Sequence, residues 1–198
     1  MRRWMVPRRW IVSRFFRSLV GLMALAFVAP ALAWEDFVRH EEGISIHVRK
    51  RERALEVRDG SRIIRRFPIR LGARPDAPKR LSGDYRTPVG TYYIREKRSQ
   101  SRFRRFLGLS YPSIDDADRG LDLGLIDQEQ WADIFFASVK GRMPPANTRL
   151  GGLIGIHGYG GRPELSSDWT KGCIAVSDAA IDEIYSYVQV GTPVVIFD

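Results

Sequence analysis

The chain contains a single cysteine, Cys173, and three histidines, His40, His47 and His157. A thiol attacks carbonyls as its thiolate, and with an unperturbed pKa of about 8.5 it is mostly protonated at neutral pH. Nucleophilic catalysis therefore needs a base that accepts the proton, or a partner that holds thiolate beside imidazolium. It also needs backbone N–H groups to take the charge of an acyl intermediate. Gly172 directly precedes the thiol in DWTKGCIAV, Asp168 to Val176, and a residue without a side chain lets a reacting carbonyl come close. His157 stands sixteen positions upstream in IGIHGYGG, at the end of an apolar run and beside Gly158, Gly160 and Gly161.

His157 is the candidate base by comparison with the other two. His40 lies far upstream, and His47 shares the polar side of an alternating stretch with Arg49. One cysteine and one histidine are equally compatible with a small buried apolar residue and a hydrogen-bonded core imidazole, so the pair alone leaves that alternative open. No spaced set of Cys and His ligands suggests a metal, and a dithiol redox site lacks its second cysteine. The expectation is no metal and no cofactor.

The elements that must hold these residues read mainly as strands. ISIHVRK, Ile44 to Lys50, alternates apolar and polar residues. ALEV and RIIRRFPIRLG flank Asp59-Gly60, a strong hairpin signal. VGTYYIRE, Val89 to Glu96, predicts a further strand, and PDAPKRLSGDYRTP before it a loop. In the middle, Ile126, Trp131, Ile134, Phe135 and Val139 are spaced like one face of a helix that Gly141 and Pro144-Pro145 stop. The acids of SIDDADRGLDLGLID do not match the EF-hand spacing and read as a solvated loop. Nearer the end, GGLIGIHG predicts a buried strand running into a glycine turn and CIAV a short strand. Ser177 then caps a helix that buries Ile181, Ile184, Tyr185 and Val188, Gly191 and Pro193 end it, and TPVVIFD is a buried final strand.

Residues 1–33 have the parts of a secretory signal peptide: six arginines, the apolar stretch SLVGLMALAFVAP, and Ala31-Leu32-Ala33 as a cleavage site. Part of a twin-arginine pattern is present, but its surrounding residues are not, so Sec export to the periplasm or beyond is expected, with 34–198 as one domain. Retention of the apolar run as an anchor is the alternative. Most of the +9 net charge belongs to this segment; without it 26 Lys+Arg face 23 Asp+Glu, a net of +3. Only REKRSQSRFRR, Arg95 to Arg105, then offers a basic face. It reads as a solvated loop or strand edge, and nucleic acid is not an expected partner.

The motifs together resemble the L,D-transpeptidase (YkuD-type) catalytic domain. His157-Gly158 followed by Thr170-Lys171-Gly172-Cys173 is similar to its signature, SGDYRTPVGTYYI (Ser82 to Ile94) to its strand entry, and LGLSYP (Leu107 to Pro112) to its murein subgroup. The resemblance implies a mainly β, sandwich-like catalytic domain with a few helices and a cleft over the cysteine. It implies that Cys173 attacks a carbonyl of a peptidoglycan stem peptide, His157 takes the proton, the Gly158 carbonyl orients the ring, and the Gly172 and Cys173 N–H groups serve the oxyanion. Thr170, Lys171 and Arg86 are the substrate-binding candidates. Many members of the family have His-Gly-Cys followed by an apolar residue and an arginine, whereas this sequence has Lys171-Gly172-Cys173-Ile174-Ala175. Arg86 or the Arg95 to Arg105 cluster is the expected substitute. Cross-linking by an incoming amine and hydrolysis by water, including release of a wall-anchored lipoprotein, share the same acyl-enzyme and stay open. A wall-binding module without activity is the rival of another class.

Overall fold

The alternation expected from Ile44 onward forms a strand because every second side chain can be buried. Ile46 and Val48 of β1 (Ile44–Arg49) are fully buried, while Ser45 and His47 are half-buried. In this computed structural model residues 43–162 and 166–198 are described. The expected signal segment, and His40, lie outside the described residues. β2 (Ala54–Asp59) and β3 (Arg62–Pro68) form the hairpin anticipated around Gly60, whose φ of 56° suits the turn. The remaining elements are β4 (Gly90–Ser101), β5 (Arg104–Leu109), α1 (Ile114–Asp122), α2 (Gln128–Val139), β6 (Gly155–His157), β7 (Ile174–Ala175), α3 (Asp178–Tyr187) and β8 (Pro193–Phe197).

The eight strands of the described residues form one ladder in the order β3-β2-β1-β8-β4-β5-β6-β7. The long β4 belongs to both halves of it: Gly90 to Tyr93 pair with β8, and Ile94 to Ser101 pair with β5. The sheet curls, and one apolar core collects Ile46, Leu55, Tyr92, Ile94, Leu107, Ile156, Ile174 and Ile196 from both halves. Helix α3 closes this core with Ile181 and Ile184, and Val188 at its C-cap is buried with them. Its N-cap is Ser177, whose side chain accepts the Ala180 N–H at 3.2 Å. The fold is thus mainly β with few helices.

Three local expectations change. SIDDADRG is helical rather than a loop, because Ser113 and Asp116 make a reciprocal capping box and Asp115 and Asp116 occupy the first turn, where negative charge is favoured. Asp116 is buried and also receives the Tyr92 hydroxyl at 3.0 Å. The Arg95 to Arg105 run is paired rather than a solvated loop, since its two arms extend β4 and begin β5. On α2, Ile134 is buried as expected but Val139 at the last turn is exposed, because the second apolar cluster ends at Ala117, Ile126, Ile134 and Leu150.

Candidate active site

The site is built on three short strands. β6 reads Gly-Ile-His, and all three residues are buried. It pairs antiparallel with β5 and parallel with β7. A Cβ at Gly155 would lie 2.5 Å from the Phe106 ring and 2.6 Å from the Leu107 carbonyl oxygen, so only glycine lets β6 approach β5 this closely. In the parallel register His157 faces Ala175. Cys173 stands two residues before Ala175. Continued one residue before β7, the same register brings Cys173 to Gly155, whose N–H bonds the sulfur, two residues from His157 on β6.

The nucleophile loop is fastened to the segment that follows β3. Asp168 accepts the Leu71 N–H at 2.8 Å and pairs with Arg53, whose Nη2 lies 2.7 Å away. Leu71 O then accepts the N–H groups of Trp169 and Thr170, and the Ala73 N–H donates to Thr170 O at 3.0 Å. The buried Thr170 hydroxyl accepts the Gly172 N–H at 3.0 Å and donates to Cys173 O at 2.6 Å. The Gly172 N–H, expected at the oxyanion, is engaged within the loop, and Thr170, expected at the substrate, bonds the backbone of its own loop. Gly172 itself is required by conformation: its φ is 129°, and a Cβ would meet the Arg86 carbonyl oxygen at 2.6 Å.

Arg86 meets this loop through its backbone, whereas its guanidinium pairs with Asp76 at 3.2 Å. Lys171 is exposed beside Gly172. Around the thiol, Leu153 O accepts the Cys173 S–H at 3.6 Å, and the Gly155 N–H bonds to the sulfur. Leu153 has a φ of 56° and an exposed side chain, an uncommon conformation for a non-glycine residue next to a reactive group. Burial pushes the thiol above its ordinary range, against the opposing pull of the Gly155 N–H and the charges of Lys79 and Arg102.

His157 is held by its other nitrogen. Its Nδ1 lies 2.7 Å from Gly158 O. A carbonyl only accepts, so Nδ1 carries the proton and Nε2 keeps its lone pair. Burial lowers the imidazole pKa, the Gly158 bond works in the opposite direction, and Arg102 and Arg162 add to the lowering. Both shifts favour neutral thiol and neutral imidazole at rest. Of the two resting states open to such a pair, burial disfavours the thiolate–imidazolium one.

An aromatic wall that the sequence reading did not anticipate surrounds the ring. Phe103 stacks on His157 at 4.3 Å between centroids, and Trp169 meets it edge-on at 5.9 Å. Phe103 sits at the β4–β5 turn, where Gly158 N–H donates to Phe103 O at 3.0 Å. The signal in the sequence was a lone phenylalanine inside a run of arginines, which needs an apolar neighbour. Among the described residues no cluster of three or more His, Cys, Asp or Glu could hold a metal.

The L,D-transpeptidase catalytic domain (YkuD) family model matches residues 43–196, and the chain belongs to this family. Solved structures of similar fold include the helical cell shape determining protein Pgp2 from Campylobacter jejuni, at 22% identity and a TM-score of 0.55, covering 79% of this chain and 48% of that one. Bd1075 from Bdellovibrio bacteriovorus is similar at 23% identity and a TM-score of 0.51, again over 79% and 48%. The chain spans about half the length of these relatives. A search of the curated proteins finds no match.

Proposed function

We propose that the protein is an exported cysteine acyltransferase of the cell wall, using Cys173 and His157 to perform L,D-transpeptidation on peptidoglycan stem peptides. The observation that carries the reading is the Nδ1–Gly158 bond, which leaves Nε2 of His157 as a base two residues along β6 from Gly155, whose N–H bonds the Cys173 sulfur. The family as a whole acts on such peptides. Residues 1–33 are read as the Sec signal that delivers the enzyme to the periplasm or beyond.

In the first half-reaction the sulfur attacks the carbonyl carbon on the L-centre of the stem's diamino acid. The S–C bond forms as the thiol proton passes to Nε2. The C–N bond then breaks, Nε2 returns the proton to the leaving amine, and an acyl-thioester and a free D-amino acid result. With thiol and imidazole both neutral beforehand, the proton moves in step with attack. The Cys173 N–H is the remaining oxyanion donor of the two expected. The second half-reaction consumes the thioester with an amine, giving a cross-link, or with water, giving hydrolysis.

Mass spectrometry of disaccharide-tetrapeptides incubated with the mature protein and with Cys173→Ala tests the reading. Cysteine-dependent dimers or exchange of the terminal D-amino acid establish transpeptidation, and tripeptide alone establishes carboxypeptidase activity. If neither appears, the same assay on stems carrying a linked lipoprotein decides between release of that protein and an inactive wall-binding module.

A further inference from the structure

The β4–β5 turn and the loop after His157 each bring one arginine to the wall that covers the imidazole. Arg102, at the tip of the turn, has its Cζ 4.6 Å from the Phe103 ring centroid. Arg162 reaches the same ring at 5.5 Å and the Trp169 ring at 5.8 Å. Among the described residues neither arginine has a carboxylate partner. Other cations near the site are occupied: Lys79 is buried on Asp84 and Leu81 O, and Arg86 is paired with Asp76.

Both mounts are fixed. Ser101 pairs with Arg104 across the turn, and the Phe103 N–H donates to Ser101 Oγ at 3.1 Å. A Cβ on Gly160 would lie 2.3 Å from Arg102 O, so the turn and the glycine loop are in direct backbone contact. Asp178 accepts the Gly160 and Gly161 N–H groups at 2.9 and 2.7 Å, which holds the residue preceding Arg162 and engages both oxygens of that carboxylate. A guanidinium stacked on an aromatic ring keeps its planar edge of donors for an anion.

The chemistry says which anion. His157 returns its proton to the leaving amine, so that amine departs beside the imidazole. In an α-amino acid the carboxylate is only one carbon removed from the amine. A cation on the histidine side of the cleft therefore meets the leaving group, while Lys171 stands on the cysteine side. We propose that Arg102 and Arg162 form a subsite for the carboxylate of the departing D-amino acid and, by reversal, of a free D-amino acid that enters in exchange. This rests on the acyl-transfer reading above and specifies what a donor must carry: a free C-terminal carboxylate.

The test compares kcat/KM for a tetrapeptide stem ending in a free acid and for the same stem ending in a primary amide, in the wild type, Arg102→Ala, Arg162→Ala and the double variant. Loss of charge-assisted bonds predicts a fall of about ten- to a hundredfold on the free acid in the double variant, with little change on the amide. Equal losses on both substrates, or none on either, overturn the subsite. A second readout is independent of turnover: in Cys173→Ala, D-alanine but not D-alaninamide perturbs the His157 imidazole NMR resonances, and the two arginine substitutions abolish the response. If the wild type is inert on both stems while this binding is seen, the acyl-transfer reading fails and the carboxylate subsite survives. Absence of the D-alanine response in the parent overturns the subsite even if turnover is normal.

Discussion

Asp178, the first residue of α3, holds the backbone of Gly161 at 2.7 Å and so ties the helix to the glycine loop after His157. Its Oδ1 binds the Gly160 N–H as well, and it occupies the space that a side chain on Gly158 would need, 2.4 Å from that position. The carbonyl that orients the imidazole is thereby fixed from below. Asp178→Ala is expected to lower turnover more than it raises KM and to destabilise the fold by about 1–2 kcal/mol, the worth of two partly exposed backbone bonds. Asp178→Asn keeps an acceptor and restores part of the turnover. Urea midpoints measured beside kinetics separate the two effects.

The neutral resting pair predicts a particular pH dependence. Burial holds the His157 pKa below the ordinary imidazole value and raises the thiol above the ordinary thiol value. The base is competent once pH exceeds the lowered imidazole value, and the thiol keeps its proton until the raised value. Turnover against pH then has an acid limb displaced below that of an ordinary imidazole, a broad plateau, and an alkaline limb displaced above that of an ordinary thiol. Alkylation by iodoacetamide in the free enzyme should rise only on the alkaline side. Rapid alkylation at pH 5–6 would instead reveal a resting thiolate–imidazolium pair.

Phe103 is the side chain expected to set the acid limb. Burial is the largest cause of the lowered imidazole pKa, and Phe103 covers one ring face at 4.3 Å. Phe103→Ala lets water reach the ring, so the charged form becomes less costly and the pKa rises toward 6.5. An NMR titration of His157 should show this upward shift, and the acid limb should move with it.

Thr170→Val removes a buried hydroxyl that bridges Gly172 N–H and Cys173 O. Valine matches its shape but leaves two backbone groups unsatisfied, at a cost of about 1–3 kcal/mol. Thermal melting should show the loss, activity should fall with it, and Thr170→Ser should recover most of both.

Gly172→Ala combines a backbone conformation unfavourable to alanine with a contact of 2.6 Å to Arg86 O. The expected result is near-complete loss of thiol acylation, together with a stability loss of about 1–3 kcal/mol. Circular dichroism that stays native while acylation disappears would confine the damage to the nucleophile loop.

The strands and the α3 cap were legible because each rests on local information: alternation in Ile44–Arg49 and a serine at 177. Helix α1 was missed because a run of acids looks like a loop until Ser113 and Asp116 are seen capping each other. The wall of Phe103 and Trp169 was not legible, since 54 residues separate Phe103 from His157 and only the β4–β5 turn brings them together. Arg86 shows how little charge alone reveals. Its charge suggested a ligand contact, but nothing in the sequence revealed that Asp76 takes the guanidinium while the backbone supports Gly172.

β8, Pro193–Phe197, comes last in sequence among the described strands yet stands in the middle of the ladder, between β1 and β4. Removing it would not trim an edge; it would part the sheet and leave two raw edges facing each other. Until those residues are available, β1–β3 and β4–β7 have no common strand, and the core they share cannot close. β8 is therefore the keystone of the sheet, and loss of Pro193–Phe197 acts on both halves at once.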